Sequence, residues 1–241
     1  VNKQGYTLME VSLFLAISGL LTLVAIVGIG PRLTNVRFST GMRDIQGNLT
    51  KTLNGAAVGT NSNIKKLLCN NGTVTVPVGG TNNGGANEGC VRSGKIAIFE
   101  TDRVVYRDIV STANPVSSGC GSASAAGTFD YIKSCYRPRI LDDSVQAPTS
   151  YTLPNGISRV YPSAAQPQAY GFVRSPADNS TFYFYIKSGA NTSSSMENGS
   201  ITYETTTDKF PLCYKLANRS AKLTLFKNSP DNKLDINGTC P

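Results

Sequence analysis

Glu10 is the residue best placed to do chemistry in this chain. It closes the segment Gly5-Tyr6-Thr7-Leu8-Met9-Glu10 and is followed by a run, Val11 to Gly30, without a single charge. A carboxylate beside so much apolar surface is costly to bury unpaired, so it demands a cation as partner. Other chemistries are poorly supplied. The chain has no histidine and no tryptophan, which removes the commonest general base and the commonest metal ligand. Asp102, Asp142 and Asp143 are candidates for catalysis by residue type alone, with no motif around them. No enzyme activity, metal or cofactor is expected.

The six cysteines, Cys69, Cys90, Cys120, Cys135, Cys213 and Cys240, all follow the apolar run, and none forms a CxxC pair. This pattern suits disulfides made in an oxidising compartment. Pairing nearest neighbours (Cys69–Cys90, Cys120–Cys135 and Cys213–Cys240) would close three loops rich in Gly, Ser and Asn. A formal charge of +8 and a pI near 9.2 favour anionic partners. The most clustered cations are Lys215, Arg219, Lys222 and Lys227, with Tyr214 and Phe226 nearby, and Arg137 and Arg139 beside Tyr136 could join them in a patch for DNA or an anionic cell surface. Asp208, Asp231 and Asp235 dilute that group.

These residues need elements to hold them. The 20 residues from Val11 to Gly30 would span roughly 30 Å as a helix, the thickness of a bilayer's hydrocarbon core. Beyond Pro31 the pattern turns amphipathic, with Met42, Ile45, Leu49, Leu53 and Ala56 at helical spacing. Gly28, Gly30 and Pro31 predict a break between the two halves, because proline lacks a backbone donor and clashes with the carbonyl of Val27. From residue 59 the composition shifts to Gly, Ser, Thr and Asn between short β-branched runs. Strands are expected at 73–78, 95–100, 103–110, 169–174, 180–187, 200–204, 212–216 and 222–226. Turns at 100–102 and 175–179 predict two antiparallel hairpins. At 241 residues the chain has length for one such helix and one domain with a sizeable core.

The N-terminal segment resembles that of the type IV pilins and their pseudopilin relatives. Those chains carry a short basic leader ending in Gly, then an aromatic residue, Thr, Leu, any residue and Glu. Gly5, Tyr6, Thr7, Leu8 and Glu10 occupy the matching places, with Tyr6 where the family usually has Phe, and the resemblance covers residues 1–55. It implies that a prepilin peptidase cuts after Gly5 and methylates the new amine of Tyr6. Glu10 would then meet the Tyr6 amine of a neighbouring copy. Such a head-to-tail contact is heterologous and builds a helical filament when it does not close into a ring.

The expectation is therefore an α+β protein. A leader occupies 1–5, a hydrophobic transmembrane or filament-core helix 6–31, the amphipathic half of the same helix 32–58, and a disulfide-stapled, antiparallel β-rich head 59–241. By resemblance it is a structural subunit of a type IV pilus on the bacterial cell surface, serving attachment, twitching motility or DNA uptake. The alternative is a minor pilin or type II secretion pseudopilin whose head binds a surface or a substrate. The implied partners are copies of the chain, the inner membrane before assembly with the head outside the cytoplasm, the peptidase and the pilus assembly machinery.

Overall fold

The computed structural model describes residues 7–55, 67–70, 73–75, 89–116, 120, 128–141, 149–154, 156–162, 168–188, 202–204, 208–227 and 229–240. The expected leader, Gly5 and Tyr6 lie outside the described residues, as do Asp142 and Asp143. Helix α1 runs from Leu8 to Gly55, 48 residues, or about 72 Å at the usual rise.

Two expectations about this helix are corrected. No break occurs at Gly28, Gly30 and Pro31, since α1 passes through all three as one helix. Proline removes only one rung of the hydrogen-bond ladder, and the rungs on either side keep the backbone helical. The fold class, an α+β chain led by a long helix with a membrane half, is also corrected, at that membrane half. More of the described residues lie in strands than in helices, and among them no helix is long and apolar enough to cross a membrane.

Among the described residues, thirteen strands follow. β1 (Leu68–Asn70) and β2 (Thr73–Thr75) form a small ribbon. β3 (Cys90–Phe99) and β4 (Arg103–Thr112) make the first predicted hairpin. After α2 (Phe129–Tyr136) come β5 (Arg139–Ile140), β6 (Thr149–Thr152) and β7 (Ser158–Tyr161). β8 (Gln168–Arg174) and β9 (Thr181–Ser188) make the second predicted hairpin. β10 (Thr202–Glu204), β11 (Lys209–Leu216), β12 (Arg219–Phe226) and β13 (Asn232–Ile236) complete the chain. A seven-stranded sheet has the order β10-β9-β8-β3-β4-β5 with β6 also on β4, and a four-stranded sheet has the order β13-β12-β11-β7.

Strand alternation gives the larger sheet two apolar faces. Ile96, Ile98, Val105, Ile109, Val173, Phe184 and Ile186 point to one face, where α2 covers them with Ile132, Cys135 and Tyr136. Ala97, Phe99, Val104, Tyr106, Tyr170, Phe172 and Tyr185 point to the other. There they meet α1 and the inner face of the four-stranded sheet, Phe210, Leu212, Tyr214, Ala221, Leu223 and Leu225. A bulge between Arg92 and Gly94 resets the register of β3 on β4. Gly94 is required there, because a β-carbon would sit 2.0 Å from the Phe172 carbonyl oxygen.

The second half of α1 fills the space between the sheets. Phe38, Met42, Ile45, Leu49 and Leu53 are buried at intervals of three and four, which places them on one face. The helix packs closely at Gly41, where a β-carbon would lie 2.8 Å from Pro154 Cγ and 3.0 Å from Ile157 Cδ1. Polar contacts fix its rotation. Gln46 Nε2 donates to the Asn232 carbonyl at 3.2 Å, and Asn232 Nδ2 donates to Thr50 Oγ1 at 2.8 Å.

All three nearest-neighbour disulfides are present, Cys69–Cys90, Cys120–Cys135 and Cys213–Cys240. The first joins β1 to β3, the second ties the approach to α2 onto that helix, and the third pins the C-terminal tail over β11. The third closes a separation of 27 residues. Replacing Cys213 and Cys240 together by Ala should cost about 3–4 kcal/mol by the chain-entropy account, read as a lowered urea midpoint with a slope unchanged or steeper. A loss under about 1 kcal/mol would show that the tail is held by other contacts.

Candidate assembly surface

The start of α1 is built around Glu10. Thr7 is the residue before the helix, and its Oγ1 accepts from the Glu10 backbone N–H at 3.3 Å. Glu10 answers by accepting at Oε2 from the Thr7 backbone N–H at 2.9 Å and from the Thr7 hydroxyl at 3.0 Å. This reciprocal arrangement is a capping box, which satisfies backbone donors that a helix start leaves open. The Thr7 backbone bond, followed by the Thr7 hydroxyl, lowers the Glu10 pKa, so the carboxylate stays charged at neutral pH. Sequence reasoning took Glu10 only as one half of an ion pair. The signal for its second role was present in the spacing Thr7-x-x-Glu10.

From this cap the helix presents a long bare surface. Leu8, Met9, Val11, Leu13, Phe14, Leu15, Ile17, Leu20, Leu21, Leu23, Val24 and Ile26 are all exposed, Leu13 by 62% and Phe14 by 71%. The polar residues among them turn inward to their own backbone. Ser12 Oγ donates to the Met9 carbonyl at 2.9 Å, Ser18 Oγ to that of Phe14, and Thr22 Oγ1 to that of Ser18 at 2.7 Å. Hydroxyls satisfied in this way offer little to water. Glu10 is the sole charge from Leu8 to Gly30. Apolar patches beyond a few hundred Å² are rare on monomers and mark contact surfaces.

The four cations proposed as an anion patch are divided by the sheet register. Cys213 pairs with Lys222, and Lys215 pairs with Ser220, so Lys215 and Lys222 share the outer face of the four-stranded sheet. Lys222 has Asp235 directly opposite on β13, which dilutes its charge. Arg219 falls on the other face, beside α1, where it lines a cavity with Phe38 and Val36. Lys227 lies past the end of β12, its backbone N–H donating to Asp208. Arg137 and Arg139 belong to a different place, at the C-terminus of α2 and on β5. Asp102 stands exposed in the β3–β4 turn, where its carbonyl accepts from Leu153 N–H.

The buried polar groups missed in the sequence lie in the head. Asp108 is 1% exposed and forms ion pairs with Arg92 at 3.2 Å and Lys95 at 3.8 Å. Arg159 is equally buried; its guanidinium donates to the Pro162 carbonyl at 2.9 Å, and desolvation lowers its pKa. Burial pushes the neighbouring Tyr185 hydroxyl up to about 12, and that hydroxyl bonds Gln168. Asp108 ties β3 to β4 and Tyr185 ties β9 to β8 within the seven-stranded sheet, while Arg159 braces the end of β7 in the other. Among the described residues no group of His, Cys, Asp and Glu could hold a metal ion.

Comparison with known proteins gives no match to a family model, to a curated protein or to a solved structure.

Two outcomes follow from this geometry. The Glu10 pKa lies below its ordinary value of 4.5, so its capping contribution is complete above that value and disappears as pH falls through the lowered one. The Thr7 amide, whose N–H the Glu10 carboxylate accepts, should therefore be protected from exchange at pH 6, with protection lost on acidification. Glu10→Gln, which retains the capping geometry, should protect better than Glu10→Ala at pH 6. Equal protection in the two variants would remove the capping role. The divided cations predict weak DNA binding by the chain. Its log–log salt slope should be no steeper than about −2, the value for two neutralised phosphates. A slope near −4 would show that all four cations act together.

Proposed function

We propose that this chain is a pilin-like structural subunit that assembles into a helical filament through the first half of α1. The observation that carries this reading is the bare apolar surface from Leu8 to Ile26, anchored to a folded head by the buried second half of the same helix. A head that folds without covering this segment leaves it to be covered by other molecules. Identical copies, each with the same need, are the economical cover. The resemblance in Gly5, Tyr6, Thr7, Leu8 and Glu10 supports the same reading.

In this account the head decorates the filament and α1 joins the subunits. Glu10, charged and held rigid by Thr7, meets a cation of a neighbouring copy, and the Tyr6 amine exposed by a prepilin peptidase is one such cation. Placement on a bacterial surface suits the disulfides, which need an oxidising compartment. Contacts between head and DNA are disfavoured by the divided cations, so attachment and movement are the stronger roles.

The test is assembly by the full chain in its native host. Electron microscopy of sheared surface material should show filaments whose dominant protein is this chain beginning at Tyr6. Leu13→Asp combined with Leu20→Asp should abolish them while the head keeps its three disulfides. Glu10→Gln should lower filament yield at least about tenfold although the helix cap survives, because a desolvated ion pair that loses one partner typically costs about 3–5 kcal/mol. Filaments of normal yield in the Leu13/Leu20 variant would refute assembly through α1.

A further inference from the structure

Between α1 and the end of the β12–β13 pair lies a cavity of about 230 Å³, walled by Val36, Phe38 and Ser39 from the helix and by Arg219, Ile236 and Asn237 from the sheet. Its floor is apolar, with Phe38 buried, Ile236 half-buried and Val36 60% exposed. Its rim carries one cation. Arg219 Nη1 donates to Asn237 Oδ1 at 3.4 Å, and no described carboxylate forms an ion pair with it. Arg32 and Arg37, also exposed nearby on α1, do not line the cavity. An apolar recess with a single guanidinium at its edge calls for an apolar group one helical turn from a carboxylate.

The chain contains that combination at the other end of the same helix. Phe14 follows Glu10 by four residues, so the two side chains stand one above the other on one face of α1. Both are free of the head: Phe14 is 71% exposed, and Glu10 bonds only Thr7 among the described residues. An engineered cavity of about 150 Å³ takes a benzene ring, so this one, at about 230 Å³, has room for the Phe14 ring. A chain cannot fill its own recess, because residues 10 and 35 of one straight helix are about 37 Å apart. The occupant must be another copy.

We infer that the recess beside Arg219 is the receiving half of the subunit contact, taking Phe14 of a neighbouring copy while the Arg219 guanidinium pairs with that copy's Glu10. This rests on the filament reading above and names the surface it uses. The contact is heterologous and offsets successive partners by about 37 Å along the helix direction. It is compatible with an amine at Tyr6, since a carboxylate has lone pairs for both cations. Arg219, placed with the anion-binding cations by sequence, acquires a role in assembly from its side of the sheet.

The test places the photocrosslinker p-benzoylphenylalanine at position 14 of the full chain, irradiates assembled filaments and maps the joined peptides by mass spectrometry. Crosslinks to the peptides carrying Phe38 or Ile236 are expected. Arg219→Glu should reduce those crosslinks and raise the concentration for half-assembly at least about tenfold, whereas Arg37→Glu, outside the recess, should change neither by more than about twofold. Circular dichroism of each variant checks that the head is folded, and Arg219→Gln gives a milder second variant. Filaments whose position-14 crosslinks fall only within residues 8–30 of other copies would overturn the recess while leaving assembly through α1 intact. A chain that forms no filaments would overturn both.

Discussion

The burial of one stripe of α1 between two sheets organises the whole molecule. Phe38, Met42, Ile45, Leu49 and Leu53 are each at most 4% exposed, and they contact apolar faces of both the seven-stranded and the four-stranded sheet. Neither inner face is complete without them. The helix is thus a structural member of the head over its second half, and rigidity gained there is carried along the backbone to the uncovered first half. A helix needs tertiary packing to persist in water at most lengths. Here one end supplies that packing and the Thr7–Glu10 capping box stabilises the other.

The disulfides act on the parts of the fold that the helix does not reach. Cys69–Cys90 holds the small β1–β2 ribbon against β3, and Cys120–Cys135 supports the cover that α2 gives to the second face of the larger sheet. Cys213–Cys240 returns the tail to β11, close to the β12–β13 end that forms the recess. The recess is lined by the second half of α1 and by β12 and the end of β13, away from the bare first half of the helix. Donor and receiver can be varied separately, which makes the contact open to experiment.

Much of this was legible in the sequence, for identifiable reasons. The apolar stripe of α1 showed because its spacing is helical over several turns, and the hairpins β3–β4 and β8–β9 showed because alternating runs flank short turns. Disulfide pairing followed from proximity along the chain. Other features depend on tertiary register and left no local mark. β7 and β13 are short and edge-placed, with mixed sequences such as Ser158-Arg159-Val160-Tyr161, so no pattern separates them from loop. The cations at 215, 219, 222 and 227 look like one group until register sends Arg219 to the opposite face. The length of the uncharged run suggested a membrane crossing and Pro31 a break; neither is found in the described helix. The Thr7-x-x-Glu10 cap was overlooked because Glu10 was weighed for its charge alone.

The central claim is that one half of α1 belongs to the head and the other half to the neighbours. Hydrogen–deuterium exchange of the full chain, compared before and after assembly, tests it most directly. The account predicts that amides of residues 38–53 are strongly protected in both states, while those of 8–24 exchange quickly in the free subunit and become protected on assembly. Residues 8–24 exchanging at the same rate in both states would contradict it, as would loss of protection at 38–53 in the free subunit.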